Sequence, residues 1–217
     1  MSFMEIRDSL RTNLLEFSRQ AFNMLPIIDA PSILDLGCGS GIQSIELAKI
    51  SNGHITAIDI DIPALVLLQR KIKEQGLSDR FSIIRMSMID LHVLEKTYDI
   101  IWAEGSIYAV GFEKGIRDWK RLLKRPGYLV IHDEDTQVER KLQIIEKYEY
   151  KLVGQIEVTH EEWEERYYKP LLKILVTRKL DNTEVMKLRK EIDTFKRTRM
   201  GSVFFILQNK SKPFWKR

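Results

Sequence analysis

The sequence predicts a single α/β domain in which a seven-stranded, doubly wound and mostly parallel sheet carries helices on both faces. Three observations favour this fold class. Short continuous apolar runs, typical of strands buried on both faces, alternate with segments whose apolar residues recur every three or four positions. A cluster of glycines follows the first apolar run. Of the 217 residues, 44% are hydrophobic and 30% charged, as in ordinary globular proteins.

The amino-terminal part, within residues 1–28, is predicted to be an amphipathic helix. Apolar side chains recur at the helical period over residues 5–24. Pro26 predicts the end of this helix, because proline has no backbone N–H to donate.

Seven apolar runs predict the strands of the sheet. In chain order they are SILDLG (32–37), HITAID (54–59), FSIIRM (81–86), YDIIWA (98–103), YLVIHD (128–133), KLVGQIEV (151–158) and GSVFFILQ (201–208). A turn is predicted at Pro126-Gly127. Helices are predicted at 42–50, from near Pro63 to Gly76, at about 136–148, and as one segment with Phe112, Ile116, Trp119 and Leu123 on the same face.

Residues 160–196 predict helical stretches inserted before the last strand. Because no linker or low-complexity tract divides the chain, we interpret residues 1–217 as one domain and this insertion as a helical cap over its site. Trp163 and Tyr167 lie four residues apart, which places both on one helical face. The two rings either pack in the core or bind substrate, and an aromatic box of this kind suits a cationic amine.

Cysteine content and charge limit the classes of protein. Cys38 is the only cysteine, so no internal disulfide can form, which favours a reducing, cytoplasmic compartment. No segment approaches the roughly 20 apolar residues that span a bilayer, and no membrane partner is expected. Residues 1–140 hold 17 Lys and Arg against 20 Asp and Glu, a net −3, whereas residues 141–217 hold 18 against 11, a net +7.

The sharpest motif is Asp35-Leu36-Gly37-Cys38-Gly39-Ser40-Gly41, at a junction between a predicted strand and helix. Glycines there let the backbone approach a ligand and leave helix N-terminal amides facing it. Asp59 ends the next strand, 18 residues after Gly41, where a carboxylate can accept hydrogen bonds from both ribose hydroxyls of an adenosine. Ile42 stands where a dinucleotide-binding pattern has its third glycine.

These residues resemble the motif of the class I S-adenosylmethionine-dependent methyltransferases, from about Ser32 to Gln208. The resemblance implies a Rossmann-like sheet with an antiparallel last strand, S-adenosylmethionine as cofactor and S-adenosylhomocysteine as product. The runs WAEGSIYAVGFEKGIRDWKRLLKRPGYL and HEEWEERYYKPL are similar to small microbial members of this superfamily, in which the cap closes over the substrate.

The resemblance also implies site residues. Asp35 and the glycine loop (residues 37–41) hold the methionine part of the cofactor, Asp59 holds the ribose, and Ile60 packs on the adenine. Where the family has an acid for the adenine amino group, this chain has Ser87, unless Asp90 reaches back. The predicted cofactor-binding residues are Asp35, Gly37, Cys38, Gly39, Gly41, Asp59, Ile60, Ser87, Met88 and Glu104.

The sulfonium already activates the methyl group, so positioning and water exclusion are the main tasks of the protein. A base would help a protonated nucleophile, and Glu104, Tyr108 and His132 lie at the carboxyl ends of predicted strands, where open α/β sheets bind ligands. Glu104 is either a base, a contact of the methionine end of the cofactor, or a carboxylate bonded to loop amides. Tyr108, Trp163 and Tyr167 are the predicted substrate-binding residues, and no metal site is predicted.

The sequence therefore predicts a methyltransferase acting on an oxygen or nitrogen atom of a small molecule. Two alternatives stay open. One is an RNA-modifying methyltransferase that uses the basic C-terminal segment, KLRKEIDTFKRTRM and SKPFWKR. The other is a cofactor-binding protein without catalytic activity, favoured by the missing acid at Ser87 and by the lack of a firm catalytic base. The methyl acceptor and the oligomeric state are not predicted.

Overall fold

The computed structural model describes residues 3–177 and 182–210. One sheet holds seven strands, and with the strands numbered along the chain their spatial order is 3-2-1-4-5-7-6. The last strand in sequence runs antiparallel to both of its neighbours, and the other pairs are parallel. The predicted fold class is confirmed. The strands are β1 (Ser32–Leu36), β2 (His54–Asp59), β3 (Phe81–Arg85), β4 (Tyr98–Glu104), β5 (Leu123–Glu134), β6 (Tyr150–Val158) and β7 (Ser202–Asn209).

Helices pack against the sheet, and three of those described lie between β6 and β7 in the sequence. They are α1 (Phe3–Arg11), α2 (Leu15–Asn23), α3 (Ile42–Ile50), α4 (Ile62–Glu74), α5 (Phe112–Trp119), α6 (Val138–Lys147), α7 (His160–Trp163), α8 (Lys169–Thr177) and α9 (Asn182–Thr198). No helix among the described residues is long and apolar enough to cross a membrane.

The leading helix differs from the prediction. A 3-10 turn at Thr12–Leu14 separates α1 from α2, so the segment is two short helices rather than one. Apolar residues keep nearly the same spacing through such a tighter turn, and Leu14 stays buried within it. The periodicity alone therefore did not reveal the break.

The segment after α5 also differs. The helix ends at Trp119, a 3-10 turn occupies Lys120–Leu122, and Leu123 begins β5 instead of closing the helical face. The predicted turn at Pro126-Gly127 lies inside β5, where the pairing with β4 jumps from Leu123 to Tyr128. Leu123 is buried in its strand position, so its apolar character fits either structure.

The cap helices pack on the same face of the sheet as α1 and α2. Tyr167, Leu171 and Leu188 share one hydrophobic cluster with residues of the leading helices and with Ile33 of β1. The guanidinium of Arg166 also pairs with Glu16 at 2.8 Å. Side chains of the cap and of the leading helices also lie around Glu104 and His132, near the carboxyl ends of β4 and β5. Residues 178–181 of the predicted cap lie outside the described residues.

Candidate functional site

The glycine loop joins β1 to α3 with Gly37, Gly39 and Gly41 all at positive φ, +74°, +53° and +80°. A Cβ at Gly41 would lie 2.2 Å from Cδ1 of Leu68, and one at Gly37 would lie 2.5 Å from Cβ of Ser106. Nothing stands within 4 Å of such an atom at Gly39. Packing therefore requires glycine at the two ends of the loop, and its middle faces open space.

Asp59 lies beside the middle of this loop. The Gly39 amide donates to its Oδ2 at 2.7 Å, and the Asp61 amide donates to its Oδ1 at 2.9 Å. Each carboxylate oxygen keeps a further lone pair for a ligand hydroxyl. The next residue is Ile60, whose apolar side chain is 63% exposed beside the loop. This arrangement fits the ribose and adenine of a nucleoside.

Asp35 is buried inside the protein instead of facing the open side of the loop. Its carboxyl accepts a hydrogen bond from the Ser44 hydroxyl of α3. Burial raises the pKa of Asp35 to about 7, with further contributions from the charges of Glu104 and Asp59. The side chain connects β1 to α3, so its predicted contact with the methionine part would act through the loop.

Cys38 is a buried thiol whose sulfur lies 3.6 Å from the Gly39 carbonyl oxygen. Burial, together with the charges of Asp35 and Asp59, raises the pKa of this thiol. The residue fills space under the loop and is not an activated nucleophile.

The segment after β3 reaches the loop through Met88, whose methyl carbon would lie 3.5 Å from a Cβ at Gly37. The Ser87 hydroxyl accepts a hydrogen bond from the Ile89 amide at 3.2 Å, and Asp90 is exposed. The Met86 amide donates to the Asp59 carbonyl at 3.0 Å, which keeps the segment next to the ribose position. The contact of the adenine amino group with Ser87, or with Asp90 in its place, stays a prediction.

Glu104, at the end of β4, receives three uncharged donors. The Trp102 indole donates at 2.9 Å, the Gln43 amide at 3.0 Å, and the Ser18 hydroxyl at 3.0 Å to the nearer oxygen. Burial raises the pKa of Glu104, while these donors and the positive charge of Arg11 act in the opposite direction. No loop amide binds this carboxylate in the part of the chain described. Gln43 follows the glycine loop, so Glu104 stands between that loop and the cavity described next.

A cavity of about 590 Å³ opens between the leading helices, the ends of β4 and β5, the start of β7 and the cap. Glu104, Tyr108, His132 and Trp163 line it, so the structure brings these predicted residues together. Its other aromatic walls are Phe17, Tyr168, Phe195 and Phe204. Its charged lining residues are Arg11, Glu104, Asp133, Glu134, Lys187, Lys190 and Glu191.

His132 forms part of the floor of this cavity. Its ring stacks on Phe204, with centroids 4.2 Å apart, and its Nε2 lies 2.7 Å from the Ser202 hydroxyl. The Trp163 indole donates to the same hydroxyl at 2.8 Å. Burial, and then the charge of Arg11, lowers the pKa of His132 to about 3. The imidazole is therefore neutral at pH 7 and a weak base, which disfavours its predicted catalytic role.

Trp163 and Tyr167 do not share the cavity, contrary to the expectation from their spacing. Residues Glu164–Tyr168 form a π-helical turn, in which hydrogen bonds span one more residue than in an α-helix. Tyr168 lines the cavity with Trp163 as a result. Tyr167 is buried, accepts from Arg7 at 3.2 Å and donates to Glu191 at 3.0 Å.

The first helix contacts the glycine loop directly. Asp8, which is 8% exposed, accepts hydrogen bonds from the Ser40 hydroxyl and from Nζ of Lys71, each at 2.5 Å. Lys71 also donates to the Ser40 carbonyl at 3.0 Å. Since α1 also contributes Arg11 to the cavity, one helix connects the loop with the cavity wall.

Several residues of the site were not predicted from the sequence: Arg11, Ser18, Gln43, Tyr168, Lys190 and Ser202. They come from separate helices, one helical turn and one strand, and none belongs to the glycine motif. Two of them had a signal in the sequence: Tyr168 is an aromatic residue next to Tyr167, and Lys190 lies in the basic segment KLRKEIDTFKRTRM. Across residues 3–177 and 182–210, no three His, Cys, Asp or Glu side chains form a group that could hold a metal ion.

Comparison with known proteins agrees with this geometry. Residues 33–127 match the family model of a methyltransferase domain. An uncharacterized protein of Haemophilus influenzae is 31% identical over 104 residues, 46% of this chain and 41% of that protein. The chain spans less than half the length of the first curated relatives it matches.

Two solved structures show the same fold. One is an S-adenosylmethionine-dependent methyltransferase from Geobacter sulfurreducens in complex with S-adenosyl-L-homocysteine, with a TM-score of 0.70, 17% identity and 90% of each chain covered. The other is a geranyl diphosphate C-methyltransferase from Streptomyces coelicolor, in complex with Mg²⁺, geranyl diphosphate and S-adenosyl-L-homocysteine. Its TM-score is 0.65 at 15% identity, with 89% of this chain and 79% of that chain covered.

The match over residues 33–127, the strand order and the glycine loop beside Asp59 together make this chain similar to class I methyltransferase domains. The class uses S-adenosylmethionine. The family resemblance and the cofactor inferred from the sequence are confirmed.

Proposed function

We propose that this chain transfers the methyl group of S-adenosylmethionine to an oxygen or nitrogen atom of a small molecule bound in the cavity. The observation that carries the proposal is the position of Glu104 and Gln43, which border the cavity and adjoin the glycine loop. The cavity volume of about 590 Å³ is within the range of small-molecule sites. The Streptomyces coelicolor enzyme, a C-methyltransferase in complex with geranyl diphosphate, supports a small molecule as the acceptor but not the choice of oxygen or nitrogen.

In this proposal four residues hold the cofactor. The two oxygens of Asp59 accept from the ribose hydroxyls, Ile60 covers the adenine, and the open backbone at Gly39 lies against the methionine part. Glu104 accepts from the cofactor ammonium, because its carboxylate is buried and its near donors are all uncharged. When bound, S-adenosylmethionine supplies a methyl group already activated by the sulfonium.

The cavity walls position the acceptor and exclude water. Trp163, Tyr168 and Phe204 present flat apolar faces, and the Trp163 indole is fixed by its bond to Ser202. His132 is too weak a base to remove a proton at neutral pH, and three donors already occupy most lone pairs of Glu104. We therefore assign these residues to positioning, a role that contributes through orientation.

Calorimetric titration of S-adenosylhomocysteine tests the cofactor site. Asp59→Ala removes two expected ribose bonds, each stabilising by roughly 1 kcal/mol, so binding should weaken by about 30-fold. Asp79→Ala, the matched removal of an exposed acid outside the site, should bind like the wild type. A folded wild-type protein that does not bind S-adenosylhomocysteine would contradict the proposal, as would equal binding by all three proteins.

A second candidate is an RNA-modifying methyltransferase. The last cap helix, α9, exposes Lys187, Arg189, Lys190, Lys196 and Arg197. Such a surface can bind phosphates, and binding to single-stranded RNA that weakens steeply with salt would support this candidate. Absence of RNA binding at low salt would remove it. The basic segment SKPFWKR lies outside the described residues.

A cofactor-binding protein without turnover is the third candidate, supported by the low pKa of His132 and by the three donors that occupy Glu104, two of the three predicted candidates for a base. Tight binding of S-adenosylmethionine without methylation of any member of a broad panel of alcohols, phenols, amines and carboxylates would favour it. The single-domain organisation and the cytoplasmic location stay predictions.

A further inference from the structure

The charged groups that line the cavity fall into two sets. Most of its acids bind partners within the protein. Asp133 pairs with Nζ of Lys141 at 2.6 Å, and Glu191 accepts from the Tyr167 hydroxyl at 3.0 Å and lies 3.6 Å from Arg7. Glu134 is exposed at the rim.

Glu104 is also engaged, by the three donors described above. Under the proposed function its remaining charge meets the cofactor ammonium. Once the cofactor is bound, the acids of the cavity therefore contribute little uncompensated negative charge to the space where the acceptor binds.

Two of the three cations that line the cavity differ from most of its acids. Neither the guanidinium of Arg11 nor the ammonium of Lys190 has a hydrogen-bond or ion-pair partner among residues 3–177 and 182–210. Arg11 is half-buried at the end of α1, and Lys190 is exposed on α9, across the cavity mouth. Lys187 adds a third positive charge to the lining.

Arg11 acts on the acceptor side of the site. Its charge lowers the pKa of Glu104 and of His132 and opposes the rise in the pKa of Tyr168, and all three residues line the cavity. A half-buried guanidinium presents a planar set of donors that matches the two oxygens of a carboxylate or phosphate. The opposite charge of Glu104 acts on this guanidinium, but under the proposed function the cofactor ammonium meets that carboxylate, and an anionic group of a ligand would then stabilise the guanidinium.

We propose that the methyl acceptor carries an anionic group, a carboxylate or a phosphate, which Arg11 binds in the cavity with Lys190 at its mouth. This inference rests on the proposed function and makes it more specific. The acceptor atom lies on another part of the same molecule, between the aromatic walls. Arg11 is then a specificity-determining residue, whereas Asp59 and the glycine loop serve the cofactor.

The experiment uses the full chain saturated with S-adenosylhomocysteine and three fluorinated probes: 4-fluorobenzoate, 4-fluorophenyl phosphate and neutral 4-fluorobenzamide. Broadening of the ¹⁹F signal reports weak binding. We expect at least one anion to bind tenfold or more tightly than the amide. The preferred anion separates a carboxylate site from a phosphate site.

Variants identify the group responsible. Arg11→Met should abolish the preference for the anion, Arg11→Lys should restore part of it, and Lys190→Met should reduce it by a few-fold. Arg140→Met, which removes an exposed arginine of α6 outside the cavity, is the matched control and should bind the probes like the wild type. Because Lys190 is exposed, its variant remains informative if Arg11→Met does not fold.

Two results would overturn the inference. Equal binding of the amide and both anions would show that the cavity does not select charge. A fall in S-adenosylhomocysteine affinity in Arg11→Met, as large as the loss of probe binding, would show that Arg11 binds the carboxylate of the cofactor itself. These two results contradict only the inference about Arg11. The proposed function is contradicted by a different result, the absence of S-adenosylhomocysteine binding by the wild-type protein.

Discussion

The two halves of the site are built in different ways. The cofactor half consists of the glycine loop and Asp59, residues close in sequence that act largely through backbone geometry. The acceptor half combines Arg11, His132, Tyr168 and Lys190 from two leading or cap helices, a strand and a helical turn. A local motif therefore defines the cofactor, whereas tertiary packing defines the acceptor. Three changes test this contrast.

The largest effect is expected in the cofactor half. In Gly41→Ala the new Cβ would meet Leu68 at 2.2 Å, and the residue would have to keep a φ of +80°. Strain and overpacking together should lower the free energy of unfolding by roughly 2 to 4 kcal/mol. Displacement of the loop should also lower S-adenosylhomocysteine affinity by about 30-fold or more. Urea denaturation and calorimetry measure the two changes.

Gly76→Ala is the control for backbone strain alone. Gly76 follows α4 with a φ of +67°, and nothing lies within 4 Å of an added Cβ. Gly76→Ala should lower the free energy of unfolding by about 1 kcal/mol and leave the affinity for S-adenosylhomocysteine unchanged. Similar affinity losses in both variants would mean that the close contact at Gly41 is unimportant.

The second effect concerns His132 in the acceptor half and depends on pH. The folded pKa of about 3 is below the ordinary value of roughly 6.5, so between these values the unfolded chain binds a proton that the folded chain does not. The stability that the neutral imidazole contributes is therefore lost as pH falls. From pH 7 to pH 5 the free energy of unfolding of the wild type should fall by about 2 kcal/mol relative to His132→Gln.

Urea denaturation of both proteins at the two pH values measures this difference. Asp35 and Glu104, whose pKa values are raised, have the opposite dependence, but both proteins contain them and their contribution cancels. Parallel pH profiles for the two proteins would contradict the burial of a neutral imidazole.

Much of the cofactor half could be predicted from the sequence, because glycine spacing and an acid at a strand end have local causes. The loop, Asp59 and the exposed Ile60 lie where the motif indicates. The Asp35 carboxyl, in contrast, is bonded to Ser44. A one-dimensional pattern places a residue on a strand but does not show which neighbour its side chain meets.

The acceptor half was less predictable for a physical reason. The spacing of Trp163 and Tyr167 assumes 3.6 residues per turn, and the π-helical turn changes that number within one segment. Arg11 and Ser18 lie on opposite sides of the 3-10 turn that divides the leading helices, and both reach the site. Neither irregularity changes hydrophobic periodicity enough to be detected.

The smallest effects are expected from substitutions of the two adjacent tyrosines, Tyr167 and Tyr168. Tyr167→Phe removes hydroxyl bonds to Arg7 and Glu191 and should lower the free energy of unfolding by about 1 kcal/mol, with probe binding in the cavity unchanged. Tyr168→Leu removes an aromatic wall and should weaken binding of the fluorinated probes by a few-fold. Urea denaturation and ¹⁹F line widths separate the two outcomes, and the reverse pattern would place Tyr167 in the cavity.

The π-helical turn also determines what a one-residue deletion in the cap would do to the cavity. Deleting one codon within residues 164–166 would convert the turn to α-helical pitch and leave Trp163 and Tyr168 four residues apart. Side chains four apart in an α-helix share a face, as those five apart do in the π-helical turn, so the same two rings would still face the cavity. The extra residue of this turn can thus be lost without exchanging the aromatic rings that face the acceptor.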